Sequence, residues 1–182
     1  GVDYVDYYWL HGLNGQTYRQ AEEMHAFDFI QKKKAEGKIH HIGLSFHDKA
    51  VLLDEILTEH PELEYVQIQL NYLDWNDPAV ESRLCYEVAV KHHKPVIVME
   101  PVKGGSLIQI PVPAKDLFEK AHPELSVASW AIRFAASPSH VMMVLSGMSD
   151  EQQVADNVSY MKDFQPLDEK ERQVVEQAVK II

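Results

Sequence analysis

Short patterns typical of β-strands alternate along this chain with longer patterns typical of α-helices. In the stretch from Val2 to His11, Val5, Tyr7 and Trp9 alternate with Asp6, Tyr8 and Leu10, and this period of two, with its β-branched and aromatic residues, predicts a strand. The same reading predicts further strands at residues 39–45, 65–71, 96–99 and 141–145. Apolar side chains spaced by three and four positions predict helices at residues 18–36, 48–59, 78–93, 126–136, 150–164 and 168–179. A long connection at residues 103–123 carries a short predicted helix near 114–120.

Some element ends are marked by particular residues. Gly37 follows the first predicted helix at the place where glycine often ends a helix. Asp48, Asp150 (or Ser149) and Asp168 are candidates to cap the N-termini of the helices that follow them.

Alternating strands and helices predict parallel βαβ units, and thus the α/β class. Such units build either a doubly wound sheet or a (β/α)₈ barrel. A complete barrel takes about 250 residues, so a chain of 182 residues with five units supplies only part of one. The chain also begins almost inside a strand, and we therefore expect residues 1–182 to form a single domain that is truncated at its N-terminus.

Composition narrows the possible partners. The 17 basic and 28 acidic residues give a net charge of −11, which disfavours a nucleic acid partner. No segment approaches the roughly 20 apolar residues that a membrane span requires, so we expect no membrane partner. Cys85 is the single cysteine, which excludes an internal disulfide and fits a cytoplasmic protein. Its apolar neighbours predict that the thiol is buried.

Polar side chains gather where each predicted strand ends. In chain order they are His11, Ser45 with His47, Gln67 with Gln69 and Asn71, Glu100 with Lys103, and Ser146. The carboxyl ends of parallel strands lie at one rim, where α/β folds bind their ligands. One such side chain is usually a structural polar group, but a succession of five favours a ligand site. The glycine turn at Gly147 also precedes a helix N-terminus, which attracts anions.

These motifs resemble the aldo-keto reductase family, in family order, from Val2 to about Phe164. The first strand resembles the family strand that ends in the catalytic histidine, which would be His11. The second is similar to the strand whose serine touches the nicotinamide carboxamide, which would be Ser45. The resemblance implies the last five βα units of a (β/α)₈ TIM barrel, followed by a C-terminal helix.

The remaining motifs resemble other parts of the family's cofactor site. The third strand would supply the glutamine that holds the carboxamide, with Gln67 as our assignment and Gln69 as the alternative. Residues 100–105 resemble the loop beside the pyrophosphate, and residues 146–157 resemble the loop and helix around the adenosine half. The cofactor-binding residues that the resemblance implies are Ser45, Gln67, Glu100, Pro101, Val102, Lys103, Gly104, Ser146, Gly147, Met148, Ser149, Gln153, Asp156 and Asn157.

The resemblance implies an oxidoreductase that reduces aldehydes or ketones, small-molecule carbonyl substrates, with NADPH or NADH. In the family a tyrosine donates the proton, helped by a lysine, an aspartate and the histidine. The first three come from earlier strands, so this chain would hold an incomplete tetrad and be inactive by itself. Tyr7 and Tyr8 are expected to be packing residues.

The chain also departs from the family pattern. Phe46 stands where many members have asparagine, and Met99 stands where many have tyrosine. Gln153 stands where many have Arg or Lys near the 2′-phosphate of NADPH, so the motifs do not decide whether the cofactor is NADPH or NADH. The motifs are most like a branch that often carries a C-terminal iron–sulfur segment, and any such cluster would lie outside this chain.

Two other functions are compatible with the sequence. One is a non-catalytic subunit that binds a nicotinamide cofactor. The other is a metal-dependent barrel hydrolase, prompted by ten histidines. The pairs His40–His41 and His92–His93 point in different directions in a strand or a helix, so we predict no metal ligands. Oligomeric state is not encoded in these patterns, although a sheet of five units would leave two open edges that favour association.

Overall fold

The computed structural model describes residues 1–182 and contains five β-strands and eight α-helices. The strands are β1 (Val5–Leu13), β2 (Ile39–Phe46), β3 (Tyr65–Gln69), β4 (Val96–Met99) and β5 (Val141–Val144). The helices are α1 (Gly15–Glu23), α2 (Ala26–Ala35), α3 (Ala50–Glu59), α4 (Ser82–Lys91), α5 (Val112–Ala121), α6 (Val127–Ala136), α7 (Glu151–Met161) and α8 (Glu169–Val179). A short 3₁₀ turn, Lys103–Gly105, follows β4.

The strands are hydrogen-bonded in chain order, β1-β2-β3-β4-β5. β2 runs parallel to β1 and to β3, as expected when a helix crosses over between neighbouring strands. The predicted α/β class, with strands and helices in alternation, is therefore confirmed.

Two compact units make up the chain. The first unit contains residues Gly1–Gln69 and Asp77–Ile97, and the second contains Leu70–Asn76 and Val98–Ile182. The core of the second unit is built around Phe118 and Trp130, whose rings stack with centroids 4.7 Å apart. In the first unit the strands contribute a fully buried layer that includes Ile42, Leu44, Tyr65, Val66 and Ile68.

β1 continues past His11, where the sequence predicted its end. Its register runs from Leu10 opposite Leu44 to Leu13 opposite Phe46, so β1 uses one residue more than β2 over this stretch. Gly12 takes a φ of +69° in this β-bulge. The predicted loop at Gly12 is wrong because the bulge absorbs the irregular backbone while strand pairing continues.

The predicted helix at residues 18–36 is two helices. The chain breaks at His25, which takes a left-handed φ of 54° before α2 begins. The turn brings Phe27 of α2 onto the ring of His60, with the two centroids 3.6 Å apart. A single helical period cannot reveal such a break, because the apolar spacing continues on both sides of it.

Helix starts also differ in detail. Lys49, not Asp48, is the N-cap of α3, and Asp48 instead accepts a hydrogen bond of 2.8 Å from the backbone N–H of Gly15 at the start of α1. Asp150 and Asp168 cap α7 and α8 as predicted. α4 begins at Ser82, four residues after the predicted start.

Candidate functional site

Ser45 and Gln67 face each other on neighbouring strands of the first unit. They are register partners in the β2–β3 pair, and both are buried. Side chains alternate between the two faces of a strand, so a residue next to Ser45 points to the opposite face. Phe46 is such a residue, and its buried ring lines a separate cavity of about 200 Å³ together with His47 and Cys85. The two amide-binding candidates of the sequence analysis therefore lie side by side, with Phe46 directed elsewhere.

His11 lies in the β-bulge of β1. Leu10 pairs with Leu44 before the bulge and Leu13 pairs with Phe46 after it, so His11 and Gly12 lie opposite Ser45 of β2. His11 is exposed, and an imidazole can both donate and accept a hydrogen bond. His47 is a second histidine here, with its Nε2 3.4 Å from the hydroxyl of Ser45. His47 was included in the polar rim but not among the predicted cofactor-binding residues.

A cavity of about 350 Å³ lies in the second unit. It is lined by all the residues predicted from the segments 100–104 and 146–157 except Lys103, namely Glu100, Pro101, Val102, Gly104, Ser146, Gly147, Met148, Ser149, Gln153, Asp156 and Asn157. Three segments that are distant in sequence meet here, since α6 contributes Ala128 and Ile132. The sequence analysis did not predict these two residues. Their spacing of four positions on α6 places them on one helix face, so identifying one would have indicated the other.

The loop after β4 forms one wall of this cavity in an unusual backbone conformation. Glu100 and Lys103 have φ values of 56° and 50°, a region that residues other than glycine rarely adopt. Gly104 continues the loop with a φ of 60°. Asn71 holds the loop by donating a hydrogen bond of 3.0 Å to the carbonyl oxygen of Glu100. Side-chain contacts therefore support the strained loop.

Lys103 is not among the residues that line the cavity, although its neighbours are. Its ammonium contacts a carboxylate oxygen of Asp74, a fully buried residue. The other oxygen of Asp74 accepts a hydrogen bond of 2.7 Å from Asn71. Asn71, which was placed on the polar rim as a ligand candidate, is thus a structural residue. The side-chain Oδ1 of Asn71 also accepts a hydrogen bond from the N–H of Asp74, which forms a local turn that asparagine and aspartate commonly make.

The first turn of α7 is closed by its own side chains. Gln153 accepts a hydrogen bond of 2.8 Å from the N–H of Ser149 and donates one of 2.9 Å to Asp150. Further along the helix, Asn157 donates to the hydroxyl of Ser146 over 2.8 Å. Asp156 accepts from the hydroxyl of Ser126 over 2.7 Å. The polar side chains of this wall are therefore held in place by one another.

The cavity has the size and the mixed lining of a small-molecule site. Small-molecule sites typically enclose about 300–1,000 Å³ and combine apolar walls with a few fixed polar groups. Val102, Ile132 and Met148 supply apolar surface here, while Ser146 and Asn157 supply hydroxyl and amide groups. No group of three or more His, Cys, Asp or Glu side chains is arranged to hold a metal ion.

Comparison with known proteins identifies the family. A model of the Aldo/keto reductase family matches residues 1–180. The chain belongs to the aldo/keto reductase family. No curated protein sequence matches it. None of its helices is long and apolar enough to cross a membrane.

Solved aldo-keto reductase structures establish the fold of this family member. An aldo-keto reductase from Bacillus halodurans, in its holo form, is 22% identical with a TM-score of 0.74, over 99% of this chain and 60% of the other. A glycerol dehydrogenase from Gluconobacter oxydans is 20% identical with a TM-score of 0.72, over 100% and 60% of the two chains. An aldo/keto reductase from Brucella melitensis is 20% identical with a TM-score of 0.70, over 97% and 61%. The chain thus spans about three fifths of these structures, and the predicted partial (β/α)₈ barrel is confirmed.

Proposed function

We propose that this aldo/keto reductase chain binds NADH or NADPH for the reduction of a small-molecule aldehyde or ketone. Family membership supports an oxidoreductase. The observation that carries the cofactor proposal is the convergence of residues 100–104, α6 and residues 146–157 on one cavity of about 350 Å³. The buried free thiol of Cys85 fits a reducing compartment, and we place the protein in the cytoplasm.

Each group of residues has a distinct part in this proposal. The hydroxyl of Ser45 and the amide of Gln67, side by side on β2 and β3, would hold the nicotinamide carboxamide. The residues lining the cavity of the second unit would hold the pyrophosphate and adenosine half. The nicotinamide, when bound, supplies the hydride. His11 would orient the carbonyl by hydrogen bonding and relay a proton at its imidazole.

Titration of the chain with NADH and NADPH, followed by nicotinamide fluorescence, tests cofactor binding. Ala128 lines the cavity, so Ala128→Trp is expected to fill it and to abolish binding. Ala121→Trp introduces the same side chain at an exposed position at the end of α5, and is expected to bind as the unmodified chain does. Full binding by Ala128→Trp would contradict the proposed site.

Turnover distinguishes an enzyme from a non-catalytic cofactor-binding subunit. None of the eight tyrosines matches the family's proton donor. This favours a non-catalytic cofactor-binding role for the chain taken by itself. Tyr65 and Tyr72 are buried, and burial raises the pKa of both phenols. The chain alone is therefore expected to bind the cofactor without reducing carbonyls, and rapid reduction would refute this. In the complete protein, His11→Ala should lower turnover more than it lowers cofactor affinity.

A further inference from the structure

Ser45 is a buried hydroxyl whose hydrogen-bond partner lies two residues further along the chain. The side chain of Ser45 is fully buried on β2, and a buried hydroxyl requires a hydrogen-bond partner. Its Oγ lies 3.4 Å from Nε2 of His47, within hydrogen-bond distance. The imidazole of His47 is exposed, so this contact joins a buried group to the rim of the first unit.

The backbone that carries His47 is held on both sides. The N–H of His47 donates to the carbonyl oxygen of Leu13 over 2.8 Å, so the pairing with β1 continues one residue past Phe46. The carboxylate of Asp48 accepts a hydrogen bond of 2.8 Å from the N–H of Gly15. Phe46 carries no polar group and points to the opposite face, so His47 is the next residue on the face of Ser45. The fold therefore places the imidazole beside the hydroxyl.

The direction of this hydrogen bond determines what Ser45 can offer to a ligand. A neutral imidazole has one donor and one acceptor nitrogen, and a hydroxyl has one donor and two acceptor lone pairs. When Nε2 of His47 accepts the Ser45 proton, the Ser45 oxygen can only accept a hydrogen bond from a ligand. Gln67, the register partner of Ser45 on β3, has an amide that can donate. The pair then offers an acceptor and a donor side by side.

From these observations we infer that His47 is a positioning residue for the nicotinamide carboxamide. By taking the proton of Ser45, it fixes the carboxamide with its NH₂ group toward Ser45 and its oxygen toward Gln67. This inference rests on the proposed function. The role is distinct from that of His11, which lies opposite Ser45 on β1 and is proposed to act on the substrate carbonyl.

Calorimetric titration of the chain with NADH and with its 3-acetylpyridine analogue tests the inference. The analogue carries a methyl group in place of the carboxamide nitrogen, so it keeps the oxygen but cannot donate to Ser45. We expect the unmodified chain to bind NADH about fivefold more tightly than the analogue, the size of one neutral hydrogen bond. His47→Leu frees the Ser45 proton to donate to the carbonyl oxygen of either ligand, so the preference should be lost. ADP-ribose, which lacks the nicotinamide, should bind equally to both proteins.

Two further variants separate hydrogen bonding from a merely structural effect. His47→Gln keeps an acceptor at about the reach of Nε2, so it should restore the preference for NADH over the analogue. His40→Leu makes the same change as His47→Leu at an exposed position near the start of β2, and it should leave the preference unchanged.

The outcomes separate the inference from the proposed function. Equal affinity of the unmodified chain for NADH and the analogue, or an unchanged preference in His47→Leu, would overturn the inference and leave the proposed function standing. Loss of the preference in both His47→Leu and His47→Gln would show that the imidazole does not act by accepting a proton, and would also overturn the inference. If neither NADH nor ADP-ribose binds, the proposed function fails, and the inference fails with it.

Discussion

Gly43 is the residue of β2 at which the first unit has no room for a side chain. A Cβ atom at this position would lie 2.6 Å from both the ring and the carbonyl oxygen of Tyr65, its register partner on β3. Because one of the clashing atoms belongs to the backbone, rotation of the Tyr65 ring cannot relieve the overlap. Gly43→Ala is therefore expected to lower the free energy of unfolding by about 2 kcal/mol or more, measured by urea denaturation. Gly147→Ala, where a Cβ would contact nothing within 4 Å, should be near neutral.

The ion pair of Asp74 and Lys103 is asymmetric in exposure. The Asp74 side chain is fully buried, whereas that of Lys103 is 35% exposed. Removing the ammonium leaves a carboxylate in the interior, but removing the carboxylate leaves an ammonium that reaches water. Lys103→Met should therefore cost about 3 kcal/mol of unfolding free energy and Asp74→Asn only about 1 kcal/mol. Urea denaturation of both variants checks the order, and a larger loss for Asp74→Asn would contradict it.

Cys85 gives the first unit a specific sensitivity to alkaline pH. Burial raises the pKa of its thiol from 9.0 to about 12. The folded state therefore keeps the proton while the unfolded state releases it, so this contribution to stability is complete below pH 9 and is lost between pH 9 and 12. Near pH 10 each further pH unit should cost about 1.4 kcal/mol. Unfolding of the unmodified chain and of Cys85→Ala, compared at pH 8 and pH 10.5, should show the steeper loss only in the unmodified chain.

At the scale of elements, reciprocal side-chain contacts fix the starts of α1 and α8. α8 begins with a capping box, in which Asp168 accepts from the N–H of Glu171 over 2.8 Å and Glu171 accepts from the N–H of Asp168 over 2.9 Å. Asp168→Ala removes one of these contacts and is expected to cost about 1 kcal/mol. Glu169→Ala changes an exposed acidic residue in the same turn and keeps the box. Thermal unfolding of the two variants measures the difference, and equal midpoints would argue against the cap.

At the scale of the whole molecule, the strand edge that residues 1–182 expose when taken by themselves and their net charge of −11 act in opposite directions. β1 is the first strand of the sheet order, and Val5, Tyr7 and Tyr8 on it are exposed apolar side chains. Such an edge favours pairing between copies, while like charge opposes it. We expect self-association that increases with salt, as measured by sedimentation velocity. Tyr8→Lys should reduce it, whereas Met24→Lys, on a side chain that is 79% exposed after α1, should not.

The sequence by itself determined the order of elements and the identity of the candidate residues. The periods of two and of 3.6, the caps at Asp150 and Asp168, and the glycine after α2 depend on neighbours in the chain, so they can be read without tertiary structure. The motif order that resembles the aldo-keto reductases is a property of the same kind, and the family match over residues 1–180 confirms it.

Only the tertiary structure decided how those residues are used. The continuation of β1 depends on pairing with β2, and the break at His25 accompanies the packing of Phe27 on His60. The ammonium of Lys103 contacts Asp74, 29 positions earlier in the chain, and no local pattern reveals this partner. Contacts between segments that are distant in sequence set these outcomes. The burial of a side chain and the pairing of its charge depend on which distant residues the fold places beside it, and not on the local sequence pattern.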